Sequence, residues 1–380
     1  MTDPAPTRTT TAPATEPTTA STAFPSPGDT PHRVRDLTVV AVMLVATVVL
    51  VIVSAGTGKV SVPPLEVLGS IAHHFHLDLG PLPSHPNGEG ALWNVRFPRI
   101  VLGLFVGAAL GAAGCLLQGV LANPLAEPGI IGVSSGAAVG ACLMIVLAGG
   151  TAGVGGAAGN WALAGAAFVF GLITAAAVYL LSLRDGSSSA IMLVLTGIAV
   201  NAFAAGIIAF LTFVATTAAR EQIIFWQLGS LAGRTWSEIW VVAPLVVAGV
   251  AACLFLVHKL DLLALGDIQA ASLGVNVEAV RRQAIILTAV LTAAAVAFAG
   301  IIAFVGLVVP HVMRLIVGPR HAILLPTSVI GGALVITAAD LAARTMLGDA
   351  DLPLGMFTSL IGGPVFFILL RRSRHAGAGW

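Results

Sequence analysis

Residues 96–137 read RFPRIVLGLFVGAALGAAGCLLQGVLANPLAEPGIIGVSSGA. After Arg99 no charged side chain appears until Glu127. The run Arg99–Gln118 therefore has the roughly 20 apolar residues a helix needs to cross a hydrocarbon core. Pro124 and Pro128, with Gly119 and Gly129, then break the helix into a rigid turn, and Asn123 is placed to cap backbone groups there. A second apolar run starts at Gly129. Spanning runs separated by such breaks describe an all-α integral membrane protein.

The rest of the chain repeats this pattern. Of its 380 residues 57% are hydrophobic and 9% charged, against a soluble norm of about 25% charged. Ten apolar stretches occur: Leu37–Ala55, Arg99–Gln118, Gly129–Leu147, Trp161–Leu183, Ile191–Phe213, Trp236–Val257, Ala284–Phe304, Gly306–Val317, Ala322–Ala342 and Leu352–Leu370. About ten transmembrane helices are expected. The eighth is short and contains Pro310, as a kinked or protein-buried span would.

Residues 1–35 are rich in Thr, Pro and Ala and read as a disordered tail. The membrane-spanning body then covers 36–372, and 373–380 form a short second tail. His32, Arg33 and Arg35 precede the first span, which puts the N-terminus inside, and ten spans return the C-terminus to the same side. Inner loops then hold Arg184, Lys259, Arg281, Arg282, Arg320 and Arg371, while Lys59, Arg96, Arg99, Arg220, Arg234 and Arg344 fall outside. The bias favours this orientation, and the outer arginines call for a further explanation.

Ala113-Gly114, Pro124 and Gly132 have the same spacing as Ala299-Gly300, Pro310 and Gly318. Related halves would leave such a trace, as would chance in a chain rich in Gly and Ala.

Composition also excludes functions. A formal charge of +1 does not suit a nucleic-acid binder. Cys115, Cys142 and Cys253 sit in apolar runs and read as small hydrophobes. The spans carry few titratable groups, namely His311, Arg314 and Asp340, which argues against catalysis. Ion coupling would have only Asp340 to use, near a membrane face. The phosphate-cradle pattern G-x-x-x-x-G-K-[ST] is missing, and Gly56-Thr57-Gly58-Lys59-Val60 lacks its first glycine and its hydroxyl. Active transport would draw its energy from another subunit.

Three segments carry candidate chemistry. Arg96 and Arg99, three residues apart, suit either interfacial anchoring by snorkelling or docking of an acidic soluble partner. Residues 262–275 are too short to span and lie between basic flanks on the inner side, Lys259 before them and Arg281-Arg282 after. They suit a short inner helix, resting on lipid or gripped by a motor subunit, with Gly274 at its C-terminal cap. His73, His74, His76 and His85 lie in a Pro-rich outer loop without metal-ligand spacing and read as solvent-exposed.

Taken in order, these motifs resemble the FecCD-type permeases, the membrane subunits of ABC importers for ferric siderophores, haem and vitamin B12. The resemblance is carried by Arg96-Phe97-Pro98-Arg99, Asn123-Pro124-Leu125-Ala126-Glu127-Pro128-Gly129, Leu265-Gly266 with Leu273-Gly274-Val275, Val309-Pro310-His311, Ala339-Asp340-Leu341-Ala342-Ala343-Arg344 and Leu352-Pro353-Leu354-Gly355. It implies a second permease subunit, identical or paralogous, and two cytoplasmic ABC ATPase subunits that bind ATP and Mg. It also implies a substrate-binding protein outside and no cofactor on this chain. Arg96, Arg99 and Arg344 are implied to pair with acidic groups on the binding protein. Leu265, Gly266, Asp267, Ala271, Leu273 and Gly274 are implied to seat in the ATPase, and Asn123, Pro124 and Leu125 to narrow the inner end of the pathway. A second gate segment is implied at Ser187-Ser188-Ser189, with no hydroxyl assignable there. The expected cargo is a ferric siderophore, with haem or cobalamin as the alternative.

Overall fold

The computed structural model describes residues 30–149, 157–184, 187–347 and 350–375. Its helices are α1 (Thr30–Gly56), α2 (Pro64–His74), α3 (Gly88–Ala91), α4 (Phe97–Val120), α5 (Val133–Leu147), α6 (Ala157–Ser182), α7 (Ala190–Val214), α8 (Thr217–Leu228), α9 (Trp236–Leu254), α10 (Val257–Leu263), α11 (Asp267–Ser272), α12 (Val277–Ala299), α13 (Val305–Val317), α14 (His321–Thr345) and α15 (Leu354–His375). A two-residue hairpin, β1 (Leu183–Arg184) and β2 (Ser187–Ser188), joins α6 to α7.

The bundle is organised around α4. It packs against α14, α12, α13 and α9, and most of its residues are buried. Lipid tails are as apolar as leucine, so helices associate in a membrane through close packing rather than hydrophobic exclusion. The α4–α14 crossing supplies that packing through glycine. A Cβ on Gly107 would lie 2.2 Å from the Gly332 carbonyl oxygen, and one on Gly111 2.1 Å from that of Ser328. The two backbones touch, and no side chain fits between them.

A second group, α5 to α8, is built on α5, which packs against α6, α7 and α8. It joins the α4 group where α12 meets both α4 and α6.

Seven helices among the described residues are long and apolar enough to cross a membrane. Val133–Leu147, Val305–Val317 and Leu354–Leu369 are apolar but shorter. Every apolar stretch read from sequence corresponds to one of these ten helices. Boundaries shifted where backbone geometry intervened. The seventh stretch was expected to reach Phe304, but Gly300, at φ 70°, ends α12 at Ala299.

At the N-terminus, α1 begins at Thr30, inside the stretch assigned to the tail. The expected disorder of residues 1–29, and the end of the C-terminal tail at 376–380, lie outside the described residues. The matched residues of the spacing repeat sit in different local structures. Gly114 and Pro124 lie in a helix interior and a turn, whereas Gly300 ends a helix and Pro310 lies inside one. The histidine loop is partly packed: His74 stacks on Trp93 at 3.7 Å, and His73 Nδ1 bonds the Gly69 carbonyl at 2.9 Å.

Candidate functional site

At one end of the bundle the structure brings Arg96, Arg99 and Arg344 together, although the sequence separates them widely. A π-helical turn, Leu92–Arg96, runs into α4 and turns the Arg96 side chain toward α1. Its guanidinium donates to the carbonyls of Ala55 (2.6 Å) and Val60. Arg344, at the end of α14, donates to Thr57 O (3.0 Å), Ser54 Oγ (2.5 Å) and Ser54 O. Ser54 and Ala55 belong to the last turn of α1, whose carbonyls have no partner within the helix. Both cations therefore cap α1, where the helix dipole favours positive charge.

Arg99 serves a different partner. Its Nε donates to both carboxylate oxygens of Asp340 (2.9 and 3.1 Å), its Nη2 lies 2.9 Å from Asp340 Oδ1, and its Nη1 meets Asp351 at 2.6 Å. Arg344 Nε approaches the same Asp340 at 3.8 Å. Arg96, Arg99, Arg344 and Asp351, with exposed Lys59, line an open depression of about 500 Å³, and Asp340 lies buried behind Arg99. Carbonyl hydrogen bonds hold a guanidinium without neutralising it. Four cations against two carboxylates leave the depression positive, a field that draws acidic groups.

The opposite end of α4 closes in a tight turn. Asn123 N–H bonds the Gln118 carbonyl (3.1 Å), with Ala122 in the left-handed region at φ 46°. Asn123 Oδ1 accepts from Leu125 N–H (2.9 Å), so Asn123 shapes its own turn instead of capping α5. Asn123 and Leu125 are exposed and Pro124 is half-buried. The turn is pinned from behind by Gln118 Nε2, which donates to Leu307 O (3.0 Å), and by Glu127, which accepts from Phe304 N–H (3.3 Å). Burial pushes the Glu127 carboxyl up, and the Phe304 bond only partly offsets this.

At this same end, α11 is a short surface helix in the segment expected to be one. Gly274 follows it at φ 85°, and Val275 N–H reaches back to the Ala270 carbonyl at 3.0 Å, a Schellman closure that a Cβ would strain. Leu265, Ala271 and Leu273 are exposed, with Ile268 81% exposed beside them. Asp267 bonds buried Arg281 at 3.0 Å. In the second segment the resemblance implied as a gate, the Ser188 and Ser189 hydroxyls are already engaged. Ser188 N–H and Oγ donate to Glu278 at 3.0 Å, and Ser189 Oγ accepts from Met192 N–H at the start of α7.

The FecCD transport family matches residues 46–372. The chain belongs to that family. Its relatives include the hemin transport system permease protein HmuU of Yersinia pestis, 38% identical over 76% of this chain and 86% of HmuU. The cobalamin import system permease protein BtuC of Halobacterium salinarum is 40% identical over 73% of this chain and 72% of its own length. The iron(3+)-hydroxamate import system permease protein FhuG of Bacillus subtilis is 34% identical over 89% of this chain and 98% of its own. A solved metal-chelate type ABC transporter in an inward-facing conformation superposes with a TM-score of 0.76 at 31% identity, covering 88% of this chain and 99% of that one. Like other FecCD permeases, this chain is the multi-pass membrane subunit of an ABC importer.

Within the FecCD frame, sequence reasoning found the outer arginines but not their partners. Asp340, Ser54 and Thr57 are 241, 290 and 287 residues from the arginines they bind. Neither spacing nor residue type points across such distances. Asp340, held by Arg99 through both carboxylate oxygens, agrees with the sequence argument against ion coupling.

Proposed function

We propose that this permease carries ferric siderophores inward through the cytoplasmic membrane, with both termini inside. A substrate-binding protein docks on the outer depression, and two ATPase subunits that hydrolyse Mg-ATP act on α11. A second permease copy, identical or paralogous, completes the pathway. One arrangement carries the reading. Arg96, Arg99 and Arg344 lie at one end of α4 and α14, whereas Asn123, Pro124, Leu125 and the α10–α11 segment lie at the other. The 24 residues of α4 separate them by about 36 Å, roughly one bilayer core.

In this reading the arginines and Lys59 take different parts in docking. Arg96, Arg99 and Arg344 are anchored within the chain and supply a positive field, while Lys59 and the outer edge of Arg99 are the groups an acidic partner touches. Kinship with the hydroxamate permease along almost its whole length supports the siderophore reading. Haem or cobalamin is the second reading, favoured by the similarity to HmuU and BtuC.

Uptake of labelled ferric siderophores, haem and cobalamin by cells with and without the gene tests this choice. Loss of ferric-siderophore uptake on deletion, reproduced by Lys59→Glu and by ATP depletion, is the expected result. Selective loss of haem or cobalamin uptake keeps the architecture and overturns the cargo. Uptake that survives ATP depletion overturns the ABC mechanism in favour of an ion-coupled carrier.

A further inference from the structure

We infer that Arg281 is a positioning residue that passes movement of α11 to the β1–β2 hairpin and the start of α7, an inference that rests on the coupling role proposed above for residues 265–274. Arg281 lies in the first turns of α12 and is 4% exposed. Its two terminal nitrogens face different elements. Nη2 donates to Asp267 Oδ2 on α11 (3.0 Å), and Nη1 donates to the Ser188 carbonyl in β2 and lies 3.7 Å from Glu278. Glu278 closes the ring: it accepts from Ser188 N–H and Oγ, each at 3.0 Å, and from Tyr179 OH at 2.6 Å. The Ser188 peptide is thus gripped through both its carbonyl and its N–H. The end of α6 is tied into the same cluster.

Three physical points turn this cluster into a transmission. First, α11 is attached lightly. Ala270 is its buried residue, and Asp267 makes its one side-chain ion pair among the described residues. A force on the exposed Ile268 face is resisted chiefly at Arg281. Second, a guanidinium is a planar fork that holds two partners in fixed relation, whereas a lysine ammonium is a point charge on a flexible stem. Third, the element at the far side is free to respond. Only 17% of the apolar window of α7 is buried, against 78% for the helix running into α4. Displacing the start of α7 disturbs little packing, whereas moving α4 would break backbone contact at Gly107.

The test uses the permease assembled with its ATPase and binding protein in lipid nanodiscs. Nitroxide pairs at Ile268→Cys with Leu315→Cys, and at Ile191→Cys with Leu315→Cys, report α11 and the start of α7 against α13. All three positions are exposed, and the native cysteines are buried. Nucleotide is expected to shift both distances in the otherwise unsubstituted protein. Arg281→Lys and Arg281→Gln keep the α11 shift and lose the α7 shift, and transport per ATP hydrolysed falls about tenfold or more while hydrolysis continues. If either substitution prevents folding, Asp267→Asn cuts the α11 branch alone at a surface position and is expected to abolish the α7 shift at an unchanged unfolding midpoint. An α7 shift that survives in these variants overturns the role of Arg281. No α11 shift in the unsubstituted protein overturns the coupling reading itself.

Discussion

The helices α4 and α7 are nearly alike in mean hydropathy and length, yet 78% of one window is buried and 17% of the other. What separates them is the placement of small residues. Gly103, Gly107, Gly111 and Gly114 recur at three- and four-residue intervals along α4, so that α14 and α13 approach its backbone. On α7, Gly197 meets the Ile130 carbonyl, but Gly206 faces open space. Hydropathy tells a helix to enter the membrane. Small-residue spacing decides whether it becomes the centre of the bundle or stays at its margin.

The sharpest way to break this comparison is to fill the glycines. Gly107→Leu forces a side chain into the Gly332 backbone and is expected to abolish the folded permease, read as loss of monodisperse protein in detergent. Gly206→Leu should leave yield and melting temperature unchanged. Equal damage at both sites would show that glycine spacing does not set burial.

Next in size is the charge cluster around Arg99, which ties α4 to α14 a second time. Asp340→Asn leaves Arg99 buried with half its compensation and is expected to cost about 3–5 kcal/mol in detergent unfolding. Asp351→Asn removes an exposed partner, and its cost should stay below about 1 kcal/mol.

A smaller, pH-dependent effect belongs to the start of α14. His321 N–H and Nδ1 meet Asp261 Oδ1 at 2.8 and 2.7 Å. Burial pushes the Asp261 carboxyl up, but the hydrogen bonds from His321 outweigh it and leave it below the ordinary carboxylate range. A depressed acid contributes stability above its unfolded value and loses it as pH falls through the folded one. Melting temperature should therefore drop on acidification in the unsubstituted protein and drop less in Asp261→Asn.

The smallest change in stability is expected at α11. Ile268→Ala and Leu273→Ala remove exposed side chains and should alter stability by no more than about 0.5 kcal/mol. In the assembled transporter they should still weaken stimulation of ATP hydrolysis by the binding protein.

These contrasts show how far the sequence could be read. Apolar run length located ten helices, because a membrane demands long apolar segments whatever they pack against. Pro and Gly located the 121–132 turn and the end of α11, because backbone geometry there is local. The short α11 followed from a segment too small to span and flanked by basic residues. Beyond that range local logic failed. The Asn123 side chain served its own turn rather than a helix.

From the sequence alone came the membrane environment, the helical class and the order of the motifs. Each follows from run length, composition or a motif that is present. Only the tertiary structure decided which arginines are structural caps and which face a carboxylate, because the cap and carboxylate partners of Arg96, Arg99 and Arg344 lie mostly between 36 and 290 residues away along the chain. It also decided that Asp340 neutralises a cation rather than carrying one. And it made Arg281 the junction of three elements, since a buried guanidinium acquires its meaning from the carbonyl and carboxylates the fold places around it.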